Sequence, residues 1–222
     1  MKINITIILC LAWLISASAE DKPLSFAREP YVHPMIVEDL VSMISDSSDQ
    51  VVAIDLYGSQ NSNRYFFDGN TNERPGSITS YEKVDAAKDY HHTFSYRYVG
   101  RTDSNIIVLY TYRSDGGSMS EHGLLFVTIE RDKGLVFKDN IIQLGRERYL
   151  LKKLGQYSLG DRYKGNVEVR GNKLFIGKDH GWFSQDRDDG DLVPRTNDWE
   201  KIFTFQMDRQ QISPADNRIN RR

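Results

Sequence analysis

Beyond Gln50 the apolar residues of this chain fall at every second position, and that period limits the fold more than any other feature. Val52, Ile54 and Leu56 alternate with Ala53, Asp55 and Tyr57, the pattern of a strand with one face in a core and the other in water. A polar loop over residues 58–63 leads into Arg64, Tyr65, Phe66 and Phe67, the aromatic second arm of a hairpin. Residues 68–90 are rich in Asn, Gly, Ser and Asp and read as a long loop, with room for a short strand or a helical turn. Three strand candidates follow at 93–99, 106–112 and 124–130. Ile106, Ile107, Val108, Leu109 and Tyr110 are apolar on both faces, which marks a central or doubly covered strand. Asp132-Lys133-Gly134 reads as a turn into Leu135, Val136 and Phe137.

Residues 147–154 fit either a short helix closed by Gly155 or a strand. Gly171-Asn172 separates two short strands and suits a tight hairpin, and 201–207 supplies the last strand. About nine strands with at most two helices, and no alternation of strand and helix, give the fold class. It is mainly β, an antiparallel barrel or sandwich with an N-terminal amphipathic helix, with α+β as the alternative.

That helix is expected over residues 34–45. Pro34 suits a first helical turn, Glu38 and Asp39 complement the positive end of the dipole, and Ile36, Val37, Leu40, Val41 and Ile44 form one stripe.

Residues 1–19 have the three parts of a secretory signal: Lys2, an apolar stretch from about Ile5 to Ile15, and Ala17-Ser18-Ala19 before Glu20. The apolar run is shorter than the ~20 residues that span a bilayer. The expected organisation is therefore a signal peptide over 1–19, one β-rich domain over 20–208 and a disordered basic tail over 209–222. No membrane span would remain after cleavage. Removing 1–19 takes away Lys2 and no acid, leaving 28 basic residues against 31 acidic, a net charge of −3. It also removes Cys10, the single cysteine, and with it any disulfide or thiolate chemistry. The remaining segment contains no N-x-[ST] acceptor. A cysteine-free, acceptor-free exported chain points to a bacterial periplasmic or secreted protein. An acidic balance argues against nucleic-acid binding.

The candidate sites begin with histidine. His33, His91, His92, His122 and His180 form neither H-x-x-x-H nor H-E-x-x-H, and on a strand His91 and His92 point to opposite faces. Each is expected as a surface or hydrogen-bonded residue, and no metal site is expected. The serines at 118 and 120 lie near His122 without the strand–turn–helix context of a nucleophile, and residues 114–123 read as a mobile loop.

The candidate binding rim is the acidic run Asp186, Asp188, Asp189 and Asp191, with Trp182 beside it. Between residues 186 and 200 six acids stand against Arg187 and Arg195, a local charge of −4. Clustered carboxylates beside Gly190 suit calcium, but an EF-hand register puts Gln185, Arg187 and Thr196 where carboxylates are needed. Either a different calcium loop or a solvated acidic turn is left. Trp182 would be partly exposed and could stack on a sugar, whereas Trp199 is expected to pack inward.

Two functions are consistent with this reading. One is a non-catalytic exported domain that binds a ligand or protein partner through loops at one end of its sheet. The alternative is a secreted hydrolase of glycans or esters that works through carboxylates and histidines. Two carboxylates about 5–10 Å apart in one cleft would favour the latter.

Overall fold

The computed structural model describes residues 24–26, 31–41, 51–60, 71–74, 78–85, 90–179 and 199–206. The fold is mainly antiparallel β, as the period of two requires. Seven strands form one sheet in the order β1 (Ala53–Asp55), β7 (Ile141–Asp161), β6 (Ser120–Lys138), β5 (Ile107–Ser114), β4 (Tyr90–Arg101), β3 (Ile78–Asp85) and β2 (Thr71–Arg74). A second sheet contains β10 (Trp199–Thr204), β9 (Lys173–Gly177) and β8 (Val167–Arg170). Two short helices, α1 (Pro34–Leu40) and α2 (Leu56–Gln60), accompany them. Among the described residues no helix is long and apolar enough to cross a membrane.

The large sheet is an open half-barrel, and its curl can be read from its core. Ile54 near one edge and Tyr81 near the other belong to the same buried cluster as Phe94, Tyr96, Ile107, Leu109, Leu125, Val127 and Leu151. Strands lie about 4.8 Å apart, so a flat sheet could not bring six of them around one core. The concavity is filled by α1 and by the segments around Leu24, Phe26 and Val32, all of them buried. The first part of the expected stripe is buried, at Ile36, Val37 and Leu40, but the helix ends at Leu40 rather than at 45; Val41 is an extended, half-buried cap, and Ile44 lies outside the described residues. Pro34 opens the helix, and His33 Nδ1 accepts the Met35 N–H at 3.2 Å.

The opposite face of the sheet packs on the smaller sheet. Val108 and Leu124 meet Tyr163, Val167, Leu174 and Ile176 in a second cluster. Gly100 permits the close approach, since a Cβ there would stand 3.0 Å from Val169 Cβ. β5 therefore lies in the middle of seven strands with Leu109 in one core and Val108 in the other. The doubly apolar run had this meaning.

The Gly171-Asn172 hairpin is also as expected. Gly171 has φ +57°, and Arg170 pairs with Lys173 across the turn.

Several expectations are corrected. Residues 68–90 hold two paired strands, β2 and β3, more than the single short strand the loop reading left room for. Their inward positions are polar, Thr79 and Tyr81, so a hydropathy pattern does not expose them. The loop at 58–63 begins as α2, where Asp55 Oδ1 caps the Gly58 N–H at 3.2 Å. Residues 147–154 are strand.

The turn lies at Asp139-Asn140, with φ of 49° and 63°, and not at Asp132-Lys133-Gly134. Two consecutive positive-φ residues match the twist of a tight hairpin. Gly134 instead sits in β6 where the register shifts, opposite an extra residue in β7. Trp199 is half-buried against Phe175, with ring centroids 5.4 Å apart, while Ile202 is exposed. The expected aromatic strand at 64–67 and the expected basic tail lie outside the described residues.

Candidate functional site

The acidic rim proposed from the sequence, Trp182 with Asp186, Asp188, Asp189 and Asp191, lies outside the described residues, as does His180. The site that the structure builds is elsewhere. It is a cavity of about 310 Å³ on the concave face, where β5, β6 and β7 run past the end of α1. Val41, Phe94, Met119 and Leu125 give it an apolar lining; Arg113, Glu121, Gln156, Ser158 and Asp161 supply polar groups. The loop between β5 and β6 closes one end. That loop spans only residues 115–119, shorter than the ten-residue segment expected.

Alternation positions the polar groups. Leu109, Thr111 and Arg113 share the concave face of β5, and their cross-strand neighbours are Leu125, Gly123 and Glu121. Arg113 and Glu121 are thus directly opposite, yet no ion pair joins them. Arg113 turns the other way: Nη2 is 3.4 Å from Asp115 Oδ2, and Nε is 4.0 Å from Glu38 Oε1, too far for a hydrogen bond. Nε is buried with no hydrogen-bond partner among the described residues. The cavity edge therefore holds a buried donor without an acceptor among the described residues, and a carboxylate that is not paired with it.

Behind Arg113 sits His92, which is buried. Its Nε2 lies 2.9 Å from Glu38 Oε1 and its Nδ1 2.5 Å from Asp115 Oδ1. Tyr81 donates its hydroxyl to the other oxygen of Glu38. Burial by itself would lower the His92 pKa; the hydrogen bonds to Glu38 and Asp115 outweigh it, and the value is raised. For Asp115, burial acts upward and is outweighed by the His92 bond and the Arg113 charge, so its value is lowered.

The two carboxylates sit on opposite nitrogens of one ring. They cannot converge on a shared cation, and no group of three or more metal-ligating residues occurs among the described residues. His91, as its position in the strand requires, faces the other way, is exposed and bonds Glu82. Glu38 therefore serves as a histidine partner rather than as a dipole-complementing charge. Nothing in the sequence signals that role, because its partner lies 54 residues away.

The convex face carries a second polar arrangement. Ser120 Oγ lies 3.2 Å from His122 Nε2, and His122 Nδ1 bonds the Tyr110 hydroxyl. Burial lowers the His122 pKa despite Asp161 and Asp179, and burial pushes Tyr110 up to about 12. A neutral ring with its proton on Nδ1 accepts from Ser120 and donates to Tyr110, which passes its own proton to the Tyr163 carbonyl at 3.4 Å. The backbone N–H of Ser120, however, is held by Asp161 Oδ1 at 2.8 Å. It cannot stabilise an oxyanion formed at that serine.

Comparison with protein-family models, with curated proteins and with solved structures finds no match.

Proposed function

We propose that this chain is an exported, non-catalytic binding domain that holds a small amphipathic molecule in the concave cavity. The cavity's position at one end of β5, β6 and β7, beside the loop at 115–119, supports binding at one end of the sheet. The observation that carries the reading is the charged pair left unjoined at its edge. Arg113 Nε has no acceptor among the described residues and Glu121 stands opposite it as a free-facing carboxylate, while Phe94, Leu125 and Val41 offer an apolar wall. A volume of about 310 Å³ is at the small end of ligand sites. A zwitterion with an apolar body, of the size of an apolar amino acid or a dipeptide, meets all three demands. Export rests on the tripartite segment over residues 1–19.

Calorimetric titration with leucine, phenylalanine and their dipeptides, against hexanoate and hexylamine as single-charge controls, tests this. The zwitterions are expected to bind more tightly than either control. Ser158→Phe, which fills the cavity, is expected to abolish binding without loss of the β-rich circular dichroism spectrum. Absence of binding by every zwitterion at millimolar concentration would reject the reading.

One observation favours hydrolysis as a second reading. Glu121 and Asp161 are direct cross-strand partners and both line the cavity. Such neighbours have Cβ atoms about 5 Å apart, comparable to the carboxyl spacing of retaining glycosidases. Turnover of chromogenic glycosides that is lost in Glu121→Gln would favour it over simple binding.

A further inference from the structure

Among the described residues the last stretch of the β6–β7 hairpin has no strand neighbours. β5 pairs with β6 only as far as Val127, and β1 pairs with β7 only at Leu150, Leu151 and Lys152. Residues 131–148 therefore extend as a free two-stranded arm around the Asp139-Asn140 turn. A lone ribbon of this kind is marginal in water unless an apolar face is covered.

The arm has such a face. Leu135 pairs with Leu144 and Phe137 with Ile142, so the four side chains form a square on one side. They are 61%, 68%, 74% and 60% exposed, respectively. Val136 and Ile141 on the other side are also exposed. Below the square the arm becomes ionic, with Arg131 on Glu147 at 2.6 Å and Arg148 on Asp132 at 2.8 Å. An apolar tip on a solvated stem is a docking surface.

We infer that this tip covers a second copy of the same chain, face to face and antiparallel about a two-fold axis. Two observations identify the occupant. The first is charge. An axis through the middle of the square lies level with Val136, so the turn of one arm falls over position 133 of the other. That places Asp139 of each copy opposite Lys133 of its mate, twice by symmetry. Among the described residues of one copy neither takes part in an ion pair.

The second observation is area. The four side chains of the square present on the order of 500 Å² of apolar surface, and two copies together on the order of 1,000 Å², the size at which a weak, reversible interface begins. A bilayer is the poorer occupant. Lys138, Asp139 and Asn140 stand at the extremity and would have to enter first, together with the unpaired backbone of both outer edges.

Sedimentation velocity of the purified protein up to about 100 µM, with and without vesicles of phosphatidylglycerol, reads the outcome. A dimer is expected. Phe137→Asp with Ile142→Asp is expected to give a monomer with an unchanged circular dichroism spectrum, because these side chains support no core of their own copy. Asp139→Lys is expected to weaken association at least about tenfold, and adding Lys133→Asp to restore it by reversing both charges. A wild-type monomer at the highest concentration, or a dimer indifferent to the tip substitutions, would overturn the inference. So would a monomer that sediments with the vesicles, which would assign the tip to a lipid surface.

Discussion

His92 is held by groups from three places in the chain. Glu38 comes from α1, Asp115 follows β5, and Arg113 on β5 stands beside both. Its raised pKa means that the folded state binds the proton more tightly than the unfolded chain does. That stabilisation is complete below the ordinary histidine value of 6.5 and is lost as pH rises through the higher folded value. Asp115 runs the other way: its lowered pKa stabilises above 3.8 and fails as pH falls through the folded value. Between these limits both contributions are present.

Replacing His92 with Leu leaves the half-buried Glu38 carboxylate without its ring partner. The cost is expected to be on the order of 2 kcal/mol at pH 6 and smaller at pH 8.5. Urea titrations of both proteins at the two pH values measure it. A difference that does not change with pH would show that His92 is not charged in the fold. At this scale the sequence was informative only about local geometry. It placed His91 and His92 on opposite faces of one strand, but it could not pair His92 with carboxylates 54 and 23 residues away.

The elements were the most legible scale, because a strand's period is a local property. β5 illustrates it: an apolar run without alternation demands cover on both faces, and it lies mid-sheet between two cores. Its residues can be tested independently of any function. Leu109→Ala opens a void in the concave core, where Leu109 is fully buried, and is expected to cost about 2–5 kcal/mol. Val108→Ala, on the other side of the same strand, removes less volume and is expected to cost on the order of 2 kcal/mol. Denaturant midpoints measure both. A negligible effect of Val108→Ala would mean that the small sheet does not pack firmly on the large one.

What failed at this scale failed for an identifiable reason. Gly134 gives the same local signal whether it makes a turn or sits in a bulge, and the choice depends on which partner strand it meets. β3 was hidden because its inward residues are Thr79 and Tyr81, polar groups satisfied only after folding. The concave cavity could not be read at all, since Arg113, Glu121 and Asp161 become neighbours through register.

Across the whole molecule the segment before α1 ties the chain's start to its centre. It reads as an extended lead-in because three apolar residues among prolines and charges make no period. Yet Leu24, Phe26 and Val32 are all buried in the concave core. The Val32 N–H donates to the Leu24 carbonyl at 2.9 Å, and Tyr96 donates its hydroxyl to the Val32 carbonyl. Phe26 stacks edge-on to Tyr57 at 5.7 Å, and Tyr57 in turn to Tyr149.

A signal peptidase that cut beyond residue 23 would strip side chains from this core, at about 2–5 kcal/mol for each large one lost. That is a large part of a domain's stability of about 5–15 kcal/mol. Cleavage after Ala19 satisfies the small-residue rule and leaves four residues ahead of Leu24. The expected exported product therefore begins at Glu20 and keeps every core residue. Intact-mass spectrometry of exported protein decides it. A mass that retains residues 1–19 would reject the signal, and a folded product that begins after Phe26 would show that the lead-in is dispensable to the core.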